Sequence, residues 1–467
     1  MNHRLKDKPM QTKSKHSNFS PTDNTQRGIT LIELMVALAV SSVIMLGISN
    51  IYLSTKKSHV IHDEFARLQE NIRYSGSTLA LEIRNSGYFG CAAGQDPSSI
   101  TNGLIGSENV AFNFETGIFG YDAVGTDIGN ALVYDPTVQG GVQGNWVTAP
   151  NLTVKTQDAF GLPTSLALNP AIDPLVLARA IPGSDILILR GANGTGVKVA
   201  QQNTSATVFL DDTTGLQVGQ CSQNAGVPGA SVDGISGICD EDILMITDCE
   251  SARIFKAKNI TQVGGGPGAC GGTLPCFNLV HSAGGNVPGE NKAPVAWTGK
   301  EDVFDTDAEV MKVVTKTFFV GLPDAVIPGP PPEPTLYVQN NDGTPDPLVE
   351  GVENMQVLYG VDTDVTAGNP MGDGIANRYF SVQNIPNLDG NTDTIFEGVV
   401  SIKLSLLVRT PQDMPGINRT PADYANLAYP MISPASPITI DPIPNNATST
   451  DRRMRKVYNL TINLRNK

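Results

Sequence analysis

Arg27-Gly28-Ile29-Thr30-Leu31-Ile32-Glu33-Leu34-Met35-Val36 opens an apolar run that continues to Leu53 and holds one charged side chain, Glu33. At 1.5 Å per residue, about 20 helical residues cross the ~30 Å hydrocarbon layer of a bilayer. An ordinary secretory leader has a shorter apolar region and is cut behind it. Here a polar leader ends at Gly28, ahead of the run, so a cut there leaves a membrane helix as the new amino terminus. Inside such a helix a carboxylate costs a few kcal/mol and calls for a partner. The free α-amino group of a neighbouring subunit would serve and would fix an axial stagger between helices. The alternative is a Glu near the helix end whose carboxylate snorkels to the interface.

Charge divides the chain at the same point. The leader carries Arg4, Lys6, Lys8, Lys13, Lys15 and Arg27 against Asp7 and Asp23, and the chain as a whole carries −14, so the remainder is strongly acidic at about −18. A basic flank beside a span keeps that flank cytoplasmic and sends the rest across. The acidic body excludes a general electrostatic grip on nucleic acid. With 467 residues, few aromatics, 47 Gly and 32 Pro, the exported part reads as loop-rich and strand-rich, with room for two or three domains.

Beyond Leu53 the apolar residues Ile61, Phe65, Leu68, Ile72, Leu79 and Ile83 recur at helical steps, separated by Arg67, Glu70, Arg73, Glu82 and Arg84. The pattern predicts one helix from Ile29 to about Asn85, membrane- or subunit-facing at first and head-packing later. Gly76 would loosen it, and Gly87 with Gly90 would end it. Residues 92–183, poor in charge and in period, read as a loop-heavy insertion decorating the head. Strands follow at Ser184–Arg190, before a turn-prone Gly191-Ala192-Asn193-Gly194, and at Ala206–Leu210, Asp242–Asp248, Ala252–Lys256 and Glu309–Val320. Pro328–Pro334 reads as a polyproline-like spacer. Val352–Val361 starts helical and ends as a strand. Val400–Val408 alternates with Lys403 and Ser405 outward, and Val457–Leu464 closes the sheet.

The segment around Gly28 resembles the type IV prepilin signature, in which a peptidase cuts after Gly and N-methylates the next residue. By that resemblance Gly28 precedes the scissile bond, Ile29, in place of the usual Phe, is the methylated new terminus, and Glu33 is the fifth-position glutamate of assembly. Arg84 to Cys91, ending Ser86-Gly87-Tyr88-Phe89-Gly90-Cys91, resembles the helix exit of the PilW family of minor type IV pilins, with Ser86 for the usual Ala. Residues 348–364, 398–409 and 452–466 resemble later segments of that family.

The resemblance implies an α+β fold: a cleaved leader (1–28), a pilin helix (29–90, transmembrane over 29–53) and a β-rich head (91–467). It implies no enzymatic activity but a structural role in the complex that primes or tips the pilus. Expected partners are other minor pilins, the major pilin, the prepilin peptidase and inner-membrane lipid, with no direct nucleic-acid binding. The expected location is the bacterial inner membrane with a periplasmic head, then the extracellular pilus. Two other readings are a type II secretion pseudopilin and a membrane-anchored adhesin or ligand-binding protein working through residues 92–320.

Six cysteines, Cys91, Cys221, Cys239, Cys249, Cys270 and Cys276, all follow the span. In an oxidising compartment an even number favours disulfides. Fifteen pairings are open; Cys270 with Cys276 is the natural local loop. Zinc would want Cys-x-x-Cys pairs, which the sequence lacks. Behind Gly28 only His59, His62 and His281 remain, and H-E-x-x-H, Walker A and G-x-S-x-G are missing from the sequence. Gly191–Gly196 lacks the Rossmann spacing and reads as a turn. No cofactor is expected, with one exception to weigh: Asp362, Asp364 and Asp373 offer hard oxygens on a flexible loop that would suit Ca²⁺, although Thr366 and Ala367 break the EF-hand pattern.

Overall fold

In the computed structural model, the described residues run from 28 to 465, apart from 93–99, 108, 115, 127–139, 151–152, 158–162, 168–170, 212–216, 222–231, 236, 264–269, 271–275, 293–296, 298–302, 324–332, 365–371, 389–395, 397, 416–427, 430, 432–437 and 440–452. A single helix, α1, spans Leu31–Asn85. The chain divides into two compact units, Met1–His59 and Val60–Lys467.

In the first unit, α1 is long and apolar enough to cross a membrane. Its large apolar side chains, from Ile29 to Leu53, are all exposed. That is an all-round apolar surface left uncovered by the described residues, which suits lipid or other helices.

In the second unit, α1 turns amphipathic. Leu68, Ile72, Leu79 and Ile83 are buried in the main core, as their spacing predicts, but Phe65 is exposed and Glu64 is buried instead. Gly76 does not loosen the helix. A Cβ there would stand 2.5 Å from the Tyr458 ring, so the missing side chain lets the last strand lie close. Positive φ at Gly87 (73°) and Gly90 (61°) ends the helix as expected.

The strands that matter below are β1 (Ile118–Ala123), β2 (Ile186–Gln201), β3 (Glu309–Gly321), β4 (Thr335–Asn340), β5 (Val352–Val361), β6 (Val399–Arg409) and β7 (Arg455–Asn463). A 12-stranded sheet is built around β2 and β3; β4 pairs with β3, and β1 with β2. A four-stranded sheet runs Arg378–Phe380, β5, β6, β7. The two are stitched by Asp185, whose Oδ1 accepts the Ala123 N–H (2.9 Å) and whose Oδ2 accepts the Val357 N–H (2.8 Å). Asp122 does the same for the Val382 N–H. These carboxylates complete backbone bonding where a strand edge would otherwise be buried unsatisfied.

Four sequence readings are corrected. Residues 92–183 are not mere decoration: all six β1 residues are buried, and β1 pairs along β2. Gly191–Gly196 lies within β2, not a turn. A Cβ on Gly191 would sit 3.0 Å from the Asn85 carbonyl, so glycine here lets the helix exit dock on the strand. Val352–Val361 is strand throughout and buried at every position. Its Val352/Met355 spacing imitates a helix because both faces are covered. Ser405 is covered, not outward: its one hydroxyl hydrogen lies between two acceptors, Met431 O and Asn459 Oδ1. Of Pro328–Pro334, residues 328–332 lie outside the described residues.

Candidate functional site

The processing segment starts at Gly28, where an added Cβ would meet nothing within 4 Å among the described residues. Two residues on, Thr30 directly precedes α1. The Thr30 N–H donates to Glu33 Oε2 (3.0 Å), the Thr30 hydroxyl donates to the same oxygen (2.9 Å), and the Glu33 N–H points back at Thr30 Oγ1 (3.4 Å). The Leu34 N–H closes the first helical bond on Thr30 O (3.1 Å). This is a capping box, with Thr30 at the N-cap and Glu33 at the third helical position. It satisfies amide donors that every helix start leaves open and sets a carboxylate where the helix dipole favours negative charge.

Thr30 is the residue that sequence reasoning missed. The signal that reveals it is local: Thr-x-x-Glu ahead of an apolar run. The geometry accommodates both. Oε2 takes the two Thr30 bonds, whereas Oε1 receives none among the described residues and the side chain is exposed.

The helix exit is the second built feature. The Gly87 N–H donates to Arg190 O (2.8 Å) and the Ala192 N–H to Tyr88 O (2.6 Å), fastening the turn to β2. Cys91 is disulfide-bonded to Cys249, 158 residues away, in the turn between the strands Ile243–Thr247 and Ala252–Lys256. Cys270 pairs with Cys276, and Cys239 is also disulfide-bonded. The side chain of Cys221 lies outside the described residues.

Ligand atoms of Asp362, Asp364 and Asp373 lie within 4.8 Å of one another. Both oxygens of buried Asp362 already accept backbone N–H groups, from Asp364 (3.0 Å) and Gly374 (2.7 Å), while Asp364 accepts from Asn377 Nδ2 (3.1 Å) and Asp373 from the Ile375 N–H (2.9 Å). Gly372 (φ 62°) brings its backbone against the Asp362 carboxylate. The aspartates thus serve as acceptors that hold the turn; hard-cation coordination would have to compete with those bonds. His59 and His62 are exposed on α1, whereas His281 is buried and stacked 4.0 Å from the Trp297 ring.

A membrane-length apolar helix that opens on a glycine-preceded, capped glutamate and leads into a disulfide-tied β head has the arrangement expected of a pilin-type protein. Residues 23–49 match the family model described as the prokaryotic N-terminal methylation motif, and residues 317–466 match the one described as Type IV Pilus-assembly protein W. No curated protein and no solved structure matches the chain. The two matches, one at each end, support a PilW-type minor pilin. The carboxy-terminal match takes in the end of β3, β4 and the whole four-stranded sheet.

Proposed function

We propose that the chain is a structural subunit of the complex that primes or tips a type IV pilus, working by assembly rather than catalysis. It is inserted as a prepilin, cut after Gly28 by the prepilin peptidase and N-methylated at Ile29. It then packs against other minor pilins and the major pilin, first in the inner membrane and afterwards in the pilus. Glu33, through the oxygen that Thr30 leaves available, accepts the α-amino group of a neighbouring subunit. What supports the reading is the glycine at position 28, whose added Cβ would meet nothing within 4 Å among the described residues. An outside agent that requires it is the simplest reason for its presence.

The test is Gly28→Leu in the producing bacterium, with the mature terminus read by mass spectrometry and pili counted. The expected result is an uncut chain beginning in the leader, and loss of piliation. A chain that still begins at Ile29, with normal pili, would defeat the proposal.

A further inference from the structure

The large sheet has a polar row on one face that its own fold leaves incomplete. Gln339 is paired across β3 with Thr317, and Thr317 across β2 with Ile188, so the three side chains stand side by side. The turn Asn109–Phe112 and the segment Ala171–Pro174 close over this face, and together they enclose a cavity of about 260 Å³.

Gln339 is 1% exposed. Its Nε2 donates to Gly343 O (2.8 Å), and its Oε1 has no hydrogen-bond partner among the described residues. The Thr317 hydroxyl, on a residue 7% exposed, has none either. Asn341 at the end of the row gives Oδ1 to the Thr315 N–H (2.9 Å), and its Nδ2 donors are likewise unpartnered among the described residues. An acceptor, a hydroxyl and an amide donor therefore converge on one small space. These groups line the cavity, so their hydrogen-bonding capacity is open to a polar molecule that enters it.

The surroundings narrow what that is. Ile186, Ile188 and the Phe112 ring give the cavity an apolar wall for C–H groups. Among the described residues no Lys or Arg lines it, whereas Asp173 and Asp342 do. That composition repels anions and suits a neutral molecule with hydroxyl groups on one side and C–H bonds on the other. The volume falls below the ~300 Å³ at which drug-sized pockets begin, so it accepts one ring rather than a chain of them.

We propose that this cavity binds a single neutral sugar unit, with the Thr317 hydroxyl, Gln339 Oε1 and Asn341 Nδ2 bonding to its hydroxyls. The floor comes from the part of the chain that matches the pilus-assembly family, and the roof from residues 109–112 and 171–174, which precede that match. The inference rests on the cavity alone and stands or falls apart from the pilus reading.

Saturation-transfer difference NMR on the full chain in lipid nanodiscs tests it. The probes are glucose, galactose and N-acetylglucosamine at about 10 mM, in the range of weak single-ring affinity, with glucuronate as the charged counterpart. Transfer to at least one neutral sugar and none to glucuronate is expected. Thr317→Val, which keeps the shape and removes the hydroxyl, is expected to weaken binding about tenfold. If that variant fails to fold, Gln339→Met reads the same loss at the neighbouring position. Silence from all three neutral sugars, equal transfer to glucuronate, or binding untouched in both variants overturns the proposal. Any of these would leave a cavity filled by solvent only.

Discussion

Two glutamates on the same helix meet opposite fates. Glu33 stands on an exposed apolar cylinder, and its only bonds among the described residues are to Thr30, three residues away. Glu64 is 3% exposed, and its Oε2 accepts the Gln412 N–H (3.0 Å), 348 residues away. The helix is continuous, yet its first part is held by local chemistry and its second by tertiary packing. A carboxylate with only local partners remains available to another molecule; one that stitches distant chain segments does not.

The contrast can be broken most forcefully inside the head. Glu353 is wholly buried between Arg409 (2.9 Å) and Arg455 (2.6 Å). Glu353→Ala takes the carboxylate from buried Arg455 and leaves Arg409 with Glu333 (2.6 Å) alone, and it is expected to cost about 3–5 kcal/mol in the urea unfolding of the head. A loss under ~1 kcal/mol would mean that solvent reaches the cluster. Next, Leu79→Ala in the packed part of α1 is expected to cost about 2–5 kcal/mol, and Glu64→Ala about 1–3 kcal/mol. Leu46→Ala and Glu33→Ala in the exposed part should leave the same transition within ~0.5 kcal/mol. Equal losses in both parts would erase the distinction.

A smaller effect is expected from pH. Burial opposes ionisation of Glu290, but hydrogen bonds from Lys256 (2.8 Å) and Lys258 outweigh it and hold the carboxyl below its ordinary range. Burial likewise opposes the charge on Lys256, and hydrogen bonds to Glu290 and Glu241 hold its ammonium above the ordinary range. A lowered carboxyl stabilises above its unfolded value, and that stability is lost as pH falls through the folded one; a raised ammonium stabilises below its unfolded value and is lost as pH rises through the folded one. Melting temperature against pH should therefore fall at both the acid and the alkaline edges. Glu290→Gln should flatten the acid edge, and an unchanged acid edge would remove this square of charges from the account. The smallest expected signal is the heat of titrating Ca²⁺ into the full chain: none, because Asp362 already accepts two backbone N–H groups. A saturable exotherm would turn the three aspartates into a metal site.

What could be read from sequence follows the range of the interactions. The apolar run, the Leu68–Ile83 stripe and the β-branched Glu309–Val320 announce themselves through local periodicity, and the structure has a helix and a strand there. The capping box was equally local and readable. Misreadings arose where a distant segment decides. Gly191 looks like a turn until the helix exit is seen lying against it. Ser405 alternates as if outward until Met431 and Asn459 come over it. Val352–Val361 loses its period of two because neither of its faces meets water. β1 sits in charge-poor surroundings with no flanking pattern, and only its pairing with β2 reveals it. The sugar-sized cavity needs four strands and two connecting segments brought together, which no window of sequence contains.

The bond between Cys91 and Cys249 fixes the route by which the molecule would carry tension. It lies six residues past the end of α1 and reaches a hairpin turn of the large sheet. A pull on the helix is thus passed to the sheet through a covalent link in parallel with the Gly87 and Ala192 amide bonds. Reduction would shift that load onto the noncovalent ties, those two hydrogen bonds together with Glu64–Gln412, Glu82–Lys316 and the packing, so the grip of the head on its helix should weaken before the head itself unfolds.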